Sequence, residues 1–249
     1  MSRILVDQVR SNSASSDAIT LDGSGNVTVP GNITLSGNAT LSGTATGFPQ
    51  GKGRNIIING AMNVAQRGTS STSSGYQTVD RFKHSGSGWD AALTQAQGSV
   101  SSGTTPYTEG FRKTFKLTNG NQSSGAGAGD SLSMSYLIED QDLATSGWNY
   151  LSATSYVTLS FWFKSSVAQT FYVVLESKDG TSRQYSFAIT PTGADTWTKV
   201  THTIPGNSGL QFSNDNGEGI EIYFLLFYGT NLTTCLLYTS PSPRDFQVS

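Results

Sequence analysis

From Phe111 to Leu226 the chain repeats one pattern, in which apolar and polar residues alternate until a turn former ends the run. Phe111, Lys113, Phe115 and Leu117 alternate with Arg112, Thr114 and Lys116, up to Asn119 and Gly120. Leu132, Met134, Tyr136 and Ile138 alternate with serines in the same way. Val157, Leu159, Phe161 and Phe163 share one side, opposite Tyr156, Thr158, Ser160, Trp162 and Lys164. Phe171, Val173 and Leu175 lead into Lys178-Asp179-Gly180, a hairpin signal, and Tyr185, Phe187 and Ile189 return from it. Val200 and Ile204 precede Pro205-Gly206, and Ile220, Ile222, Phe224 and Leu226 form a last segment. Successive side chains of a strand point to opposite faces, so each segment carries one apolar face that must be covered. Seven such segments suit two packed antiparallel sheets, a jelly-roll-like β-sandwich. Helical periodicity is nowhere sustained, and the predicted class is all-β.

A second periodicity occupies the N-terminal part. Asn26-Val-Thr-Val-Pro-Gly31, Asn32-Ile-Thr-Leu-Ser-Gly37 and Asn38-Ala-Thr-Leu-Ser-Gly43 repeat every six residues, and Ala18 to Gly23 foreshadows the pattern. Six is even, so alternation keeps its phase, and Ile19, Leu21, Val27, Val29, Ile33, Leu35, Ala39 and Leu41 fall on one face. One such ribbon cannot bury that face alone. Three parallel chains sharing a core, as a β-prism or triple β-helix, would bury it; a mobile linker has no need of phased Val, Ile and Leu. The Asn-X-Thr triplets are by-products of the repeat, because no secretory signal accompanies them. The organisation predicted is a β-stalk at residues 1–50, a hinge at 51–54, a sandwich at 55–234 and a separate tail at 235–249.

Composition excludes several classes of function. A net charge of −2 leaves no basic stripe for phosphate neutralisation, which argues against nucleic-acid binding. No apolar run reaches the length of a membrane span. Asp7 interrupts the apolar start where a signal peptide would continue, so synthesis in the cytoplasm without a signal peptide is expected. With Cys235 as its one cysteine, the chain holds no internal disulfide framework.

Asn55-Ile-Ile-Ile-Asn-Gly-Ala-Met-Asn-Val-Ala-Gln-Arg-Gly68, followed by Tyr76-Gln-Thr-Val-Asp-Arg-Phe82, resembles the opening of a jelly-roll domain common in phage tail fibres. Leu159-Ser-Phe-Trp-Phe-Lys-Ser165 resembles that family's central strand. Trp197-Thr-Lys-Val-Thr-His-Thr-Ile-Pro-Gly206 resembles its Trp-plus-threonine strand ending in Pro-Gly. Arg3-Ile-Leu-Val-Asp7 and the hexads are similar to the N-terminal regions of environmental, especially marine, phage fibre proteins. The resemblance spans residues 1–230 and implies a virion-attached homotrimeric adhesin whose sandwich is like a carbohydrate-binding module. Its partners would be other tail or fibre proteins and host-surface polysaccharide. The departure is at the end, where Cys235-Leu-Leu-Tyr-Thr-Ser-Pro-Ser-Pro-Arg-Asp245 resembles a translated adapter from transposase-based sequencing libraries. The expectation is that genuine sequence stops near Thr233 or Thr234 and that the sandwich lacks its last strand or strands.

Chemistry is thinly supplied. His202 shares its strand face with Val200 and Ile204 and reads as a packed or rim histidine. Ser85 adjoins His84, but neighbours along a strand point apart, so a catalytic triad has no support. Glu139, Asp140 and Asp142 contain carboxylates of the glycosidase type, yet read as a solvated strand end able to make a weak calcium site with backbone carbonyls. Asp80 and Arg81 read as a structural ion pair or turn element. Gly125-Ala-Gly-Ala-Gly129 lacks the lysine of a phosphate cradle, zinc spacings are absent, and no cofactor is implied. Sugars present apolar C–H faces to aromatic rings and hydroxyls to Asn, Gln, Asp and Arg. Trp89, Trp148, Tyr150 and Trp162 are candidate platforms, with Asp90 and Asn149 as hydroxyl partners. Each ring could equally cover a sheet edge or pack in a trimer.

The function expected is a non-enzymatic one: an adhesive and structural part of a phage tail fibre that holds host glycan. The rivals are a purely structural shaft or trimerisation module, a capsule depolymerase, and a cellular surface adhesin.

Overall fold

The computed structural model describes residues 8–9, 19–21, 24, 26–29, 55–120, 127–232 and 246–248. The hexads at 32–43, the hinge at 51–54 and the adapter-like stretch at 235–245 lie outside the described residues. The chain divides into Met1–Phe48 and Pro49–Ser249.

In the first unit β1 (Gln8–Val9), β2 (Ile19–Leu21) and β3 (Val27–Thr28) form an antiparallel sheet in that order. The register pairs Thr20 with Thr28 and Leu21 with Val27. Val27 is 60% exposed and Ile19 36%, so apolar side chains stay uncovered in a single chain.

The second unit is a jelly-roll-like antiparallel sandwich. Its strands are β4 (Ser70–Ser71), β5 (Phe82–Ser87), β6 (Thr94–Ser99), β7 (Lys113–Thr118), β8 (Ser131–Glu139), β9 (Tyr156–Ser165) and β10 (Phe171–Ser177). They continue with β11 (Gln184–Ile189), β12 (Thr198–Pro205), β13 (Glu218–Tyr228) and β14 (Phe246–Val248). Two short helices, α1 (Thr105–Thr108) and α2 (Asp140–Ala144), interrupt them. One sheet runs β11-β10-β13-β8-β5 and the other β12-β9-β14-β7-β6-β4.

All seven alternating segments are strands, and their apolar faces meet between the sheets. Phe161 meets Phe224 edge-on, with ring centroids 5.0 Å apart, and Phe82 packs on Tyr136 at 4.9 Å. Phe115 and Phe163 are fully enclosed, each contributing about 1.5–3 kcal/mol by burial. Four strands escaped the sequence pattern: β4, β5, β6 and β14, the last within the stretch expected to be a separate tail. β4 is two serines, and β5 and β6 send polar residues inward. His84 is 1% exposed, and Gln95 is 0% exposed. The Gln95 amide donates to Ser73 O (2.6 Å) and Gly75 O (3.0 Å) and its oxygen accepts from Thr78 (3.2 Å). A satisfied polar core residue removes the hydrophobic signal without removing the strand.

β14 sits between β7 and β9 but pairs only Phe115–Leu117 on one side and Phe163–Ser165 on the other. From Tyr156 to Trp162, β9 has no strand partner on that side among the described residues.

Candidate functional site

Two of the stretches that carried the resemblance, Asn55–Gly68 and Tyr76–Phe82, fold against each other. Asn59, at φ 57, accepts from Val64 N and donates through its amide to Val64 O and Asp80 O, each at 3.0 Å. Asp80 N in turn donates to Val64 O at 3.0 Å. This knot opens a cleft of about 540 Å³ lined in part by Asn59, Gln66, Arg67, Tyr76, Asp80 and Leu137. Leu137 belongs to the outer face of the five-stranded sheet, and the cleft runs onto that face.

The period-two rule, applied to the face turned away from the core, places Tyr172, Val174 and Glu176 on β10 beside Glu221, Tyr223 and Leu225 on β13. Ser133 and Ser135 of β8, and Lys83 and Ser85 of β5, extend the row. Glu221 lies at its centre and is 4% exposed. Lys83 Nζ stands 3.0 Å from its Oε1, Lys178 Nζ 3.1 Å from its Oε2, and the Tyr223 hydroxyl donates to it. Lys178 also donates to Tyr223 Oη and to Glu176, both at 2.7 Å. Ser182 and Gln184 donate to the other Glu176 oxygen. Lys83 lies over the Tyr76 ring, 5.5 Å from its centroid, joining the network to the cleft.

Burial alone would raise the Glu221 pKa, but hydrogen bonds from Tyr223, Lys83, Ser135 and Lys178 bring it below the ordinary carboxylate value. Glu176 is lowered in the same way, its burial outweighed by Lys178, Ser182 and Gln184. Burial raises Tyr223, and its bond to Glu221 raises it further. The result is a largely buried strip whose charged groups are paired with one another, with the half-buried Tyr172 and Tyr223 on it.

The residues singled out from sequence lie elsewhere; of them Trp148 and Tyr150 come together, edge-on with ring centroids 6.3 Å apart. Trp148 is 9% exposed and donates through Nε1 to Ser155 O at 3.2 Å. Tyr150 stands edge-on to Phe212 at 4.7 Å, while Asn149 is exposed and holds Ser155 Oγ through its backbone N–H. Trp89 is half-buried, 6.2 Å from the His84 ring, and closes over Gly86; Asp90 beside it is exposed. Trp162 is on the outer side of its strand as expected, yet only 7% exposed. Glu109 accepts from its Nε1 at 3.0 Å, and Lys199 lies 5.6 Å from the ring centroid. Each of these rings has a packing partner within the fold, and Trp148 and Trp162 keep little free surface.

Asp80 and Arg81 form a turn, one of the two readings, but the ion pair is not between them: Arg81 faces Glu139 and, at 3.8 Å, Asp142, and Asp80 faces Arg67 at 3.6 Å. One further reading is corrected. Asp140 is not part of a solvated strand end: it is 0% exposed. The packed histidine reading holds, since His202 stacks on Phe187 at 3.8 Å and meets Tyr185 Oη at 3.1 Å.

A second cavity, about 850 Å³, opens beneath the part of β9 that has no strand partner on one side among the described residues, with Ile138, Leu143, Leu175, Ile204, Ile220 and Ile222 among its walls. Ser146, Trp148, Ser155, Thr158 and Ser160 line it as well, so hydroxyl partners and an aromatic ring stand beside the apolar walls.

No protein-family model matches the chain, and no curated protein matches it. Among solved structures it is similar to the enzymatically active domain of tailspike protein 4 of bacteriophage CBA120, with 13% identity and a TM-score of 0.43 over 78% of this chain. The match spans 20% of that chain's length. It is also similar to the family 11 carbohydrate-binding module of a Clostridium thermocellum cellulase, with 14% identity and a TM-score of 0.38, covering 72% of this chain and 91% of that one. The module TmCBM61, solved with β-1,4-galactotriose, gives 12% identity and a TM-score of 0.37, covering 79% and 94%.

Proposed function

We propose that this chain is an adhesive component of a phage tail fibre and that it binds host-surface glycan on the outer face of its five-stranded sheet. The observation that carries the reading is the Lys83–Glu221–Lys178–Tyr223 network, tied together by its own ion pairs and hydrogen bonds beside the Tyr76 cleft. Sugar recognition needs fixed polar groups next to aromatic faces, and preorganisation lowers the entropy lost on binding. The uncovered Val27 and Ile19 favour a stalk whose apolar residues are shared between chains, and a homotrimer would then multiply weak sites into useful avidity.

Binding fits better than cleavage. A glycosidase needs one carboxyl kept protonated near neutral pH as general acid. On this face Glu176 and Glu221 are both held below the ordinary range, the opposite adjustment.

A glycan array probed with the whole chain tests the proposal, using Tyr76→Ala to disable the cleft. Retention of bacterial surface polysaccharide by the wild type and its loss in the variant is the result expected. A folded chain that holds no glycan would leave the shaft reading, and release of reducing ends would establish a depolymerase instead.

A further inference from the structure

We infer that Asp140, Asp179 and Asp215 form a calcium site where α2, the β10–β11 turn and the loop before β13 meet. This site stands apart from the glycan face and does not depend on that reading.

Asp140 opens α2 directly after β8 and is 0% exposed, yet neither of its carboxylate oxygens has a hydrogen-bond partner. An unpaired ionised carboxylate out of water costs several kcal/mol, on the order of a full desolvation penalty. A cation held there would remove that penalty, as a shared proton would. The charged side chains acting on Asp140 are both acids, Asp179 and Asp215. Asp140 N donates to Gly217 O at 3.3 Å and Gln141 N to Asp215 O at 2.9 Å, clamping the 215–217 segment onto the start of α2. Asp179 accepts from Ser213 N at 2.8 Å through Oδ2, which ties the hairpin turn to the same loop.

Glycines keep the space between these groups open. A Cβ on Gly217 would stand 2.6 Å from Asp215 Oδ1 and 3.3 Å from Asp140 Oδ2. One on Gly219 would stand 2.9 Å from Asp140 Oδ1.

The donors are all oxygen, with one carboxylate presenting two free atoms. That set suits calcium, which accepts bidentate carboxylates, carbonyls and water in flexible geometry, better than magnesium, which demands a strict octahedron. No three acidic or histidine side chains among the described residues already stand at metal-binding spacing. The ion would draw in Asp215, which lies on an exposed loop, towards the buried Asp140. Such a site belongs to the weak, extracellular class with a dissociation constant of roughly 10⁻⁴–10⁻³ M.

Titration calorimetry of the whole chain with calcium chloride, paired with thermal unfolding in calcium or chelator, is the test. A saturable single-site isotherm is expected, with a Tm raised by calcium and not by equimolar magnesium. Asp140→Asn should abolish both responses, and Asp215→Asn should weaken binding at least about tenfold. The Asp215 variant decides the matter alone if Asp140→Asn does not fold. A wild type indifferent to calcium overturns the inference, including the case in which Asp140 and Asp179 simply share a proton and only pH moves the Tm. Undiminished calcium binding in the Asp215 variant, or in a folded Asp140 variant, overturns it as well.

Discussion

The hydroxyl of Tyr223 donates to Glu221, two residues back on the same strand face, and accepts in turn from Lys178 at 2.7 Å. A phenol thus stands between a buried carboxylate and its counter-ion, and the three groups orient one another. Removing the oxygen alone leaves two charges facing a gap. Tyr223→Phe should therefore cost about 1–3 kcal/mol in a urea melt. It should also weaken glycan retention, because Lys178 loses one of its anchors.

Glu221 predicts the acid limb of the stability profile. Its folded pKa is below its ordinary 4.5, so ionised Glu221 contributes stability above that pH. The contribution is lost as pH falls through the folded value. Urea midpoints compared between neutral pH and pH about 3 should drop for the wild type. The drop should be smaller in Glu221→Gln. An equal drop in both would assign acid sensitivity to other carboxylates.

Trp162 and Tyr76 should separate packing from recognition. Trp162→Phe keeps most of the buried ring but gives up the Nε1 bond to Glu109, a loss of about 1 kcal/mol. Glycan retention should be unchanged. Tyr76→Ala should show the reverse, with loss of retention and a modest change in midpoint. Parallel melts and array readings on the two variants check the pair.

Gln95→Leu should be among the more damaging single changes, at about 2–4 kcal/mol by thermal or urea unfolding. It is nearly the same size, but strands Ser73 O, Gly75 O and the Thr78 hydroxyl without their partner. A neutral outcome would mean that water replaces the amide.

The seven alternating strands were legible because their inward positions are Val, Ile, Leu, Phe, Tyr and Met. β5 and β6 were not, because His84 and Gln95 occupy inward positions and their burial depends on loops far away in sequence. The candidate face was missed for a related reason. Tryptophans drew attention, yet Trp89, Trp148 and Trp162 are covered by Gly86, Ser155 and Glu109 with Lys199. The polar sides of β10 and β13 held the usable signal, in which Tyr172, Glu176, Glu221 and Tyr223 recur at even spacing. Only the ladder that pairs Glu176 with Glu221 shows that they are neighbours. Likewise Asp140 looked solvated beside Glu139 and Asp142, and it took the fold of the 213–217 loop to bury it.

The three-residue span of β14 gives the six-stranded sheet a seam. On one side lie β9 and β12, zipped over eight pairs from Thr198–Phe163 to Pro205–Tyr156; on the other lie β7, β6 and β4. Where a ladder is short, opening requires breaking few hydrogen bonds. A pull that separates the two blocks would part the sheet there first, and amide exchange at Phe115–Leu117 and Phe163–Ser165 would run ahead of the β8–β13 ladder. The sandwich then has one stiff wall, which carries the face proposed for glycan, and one wall that yields.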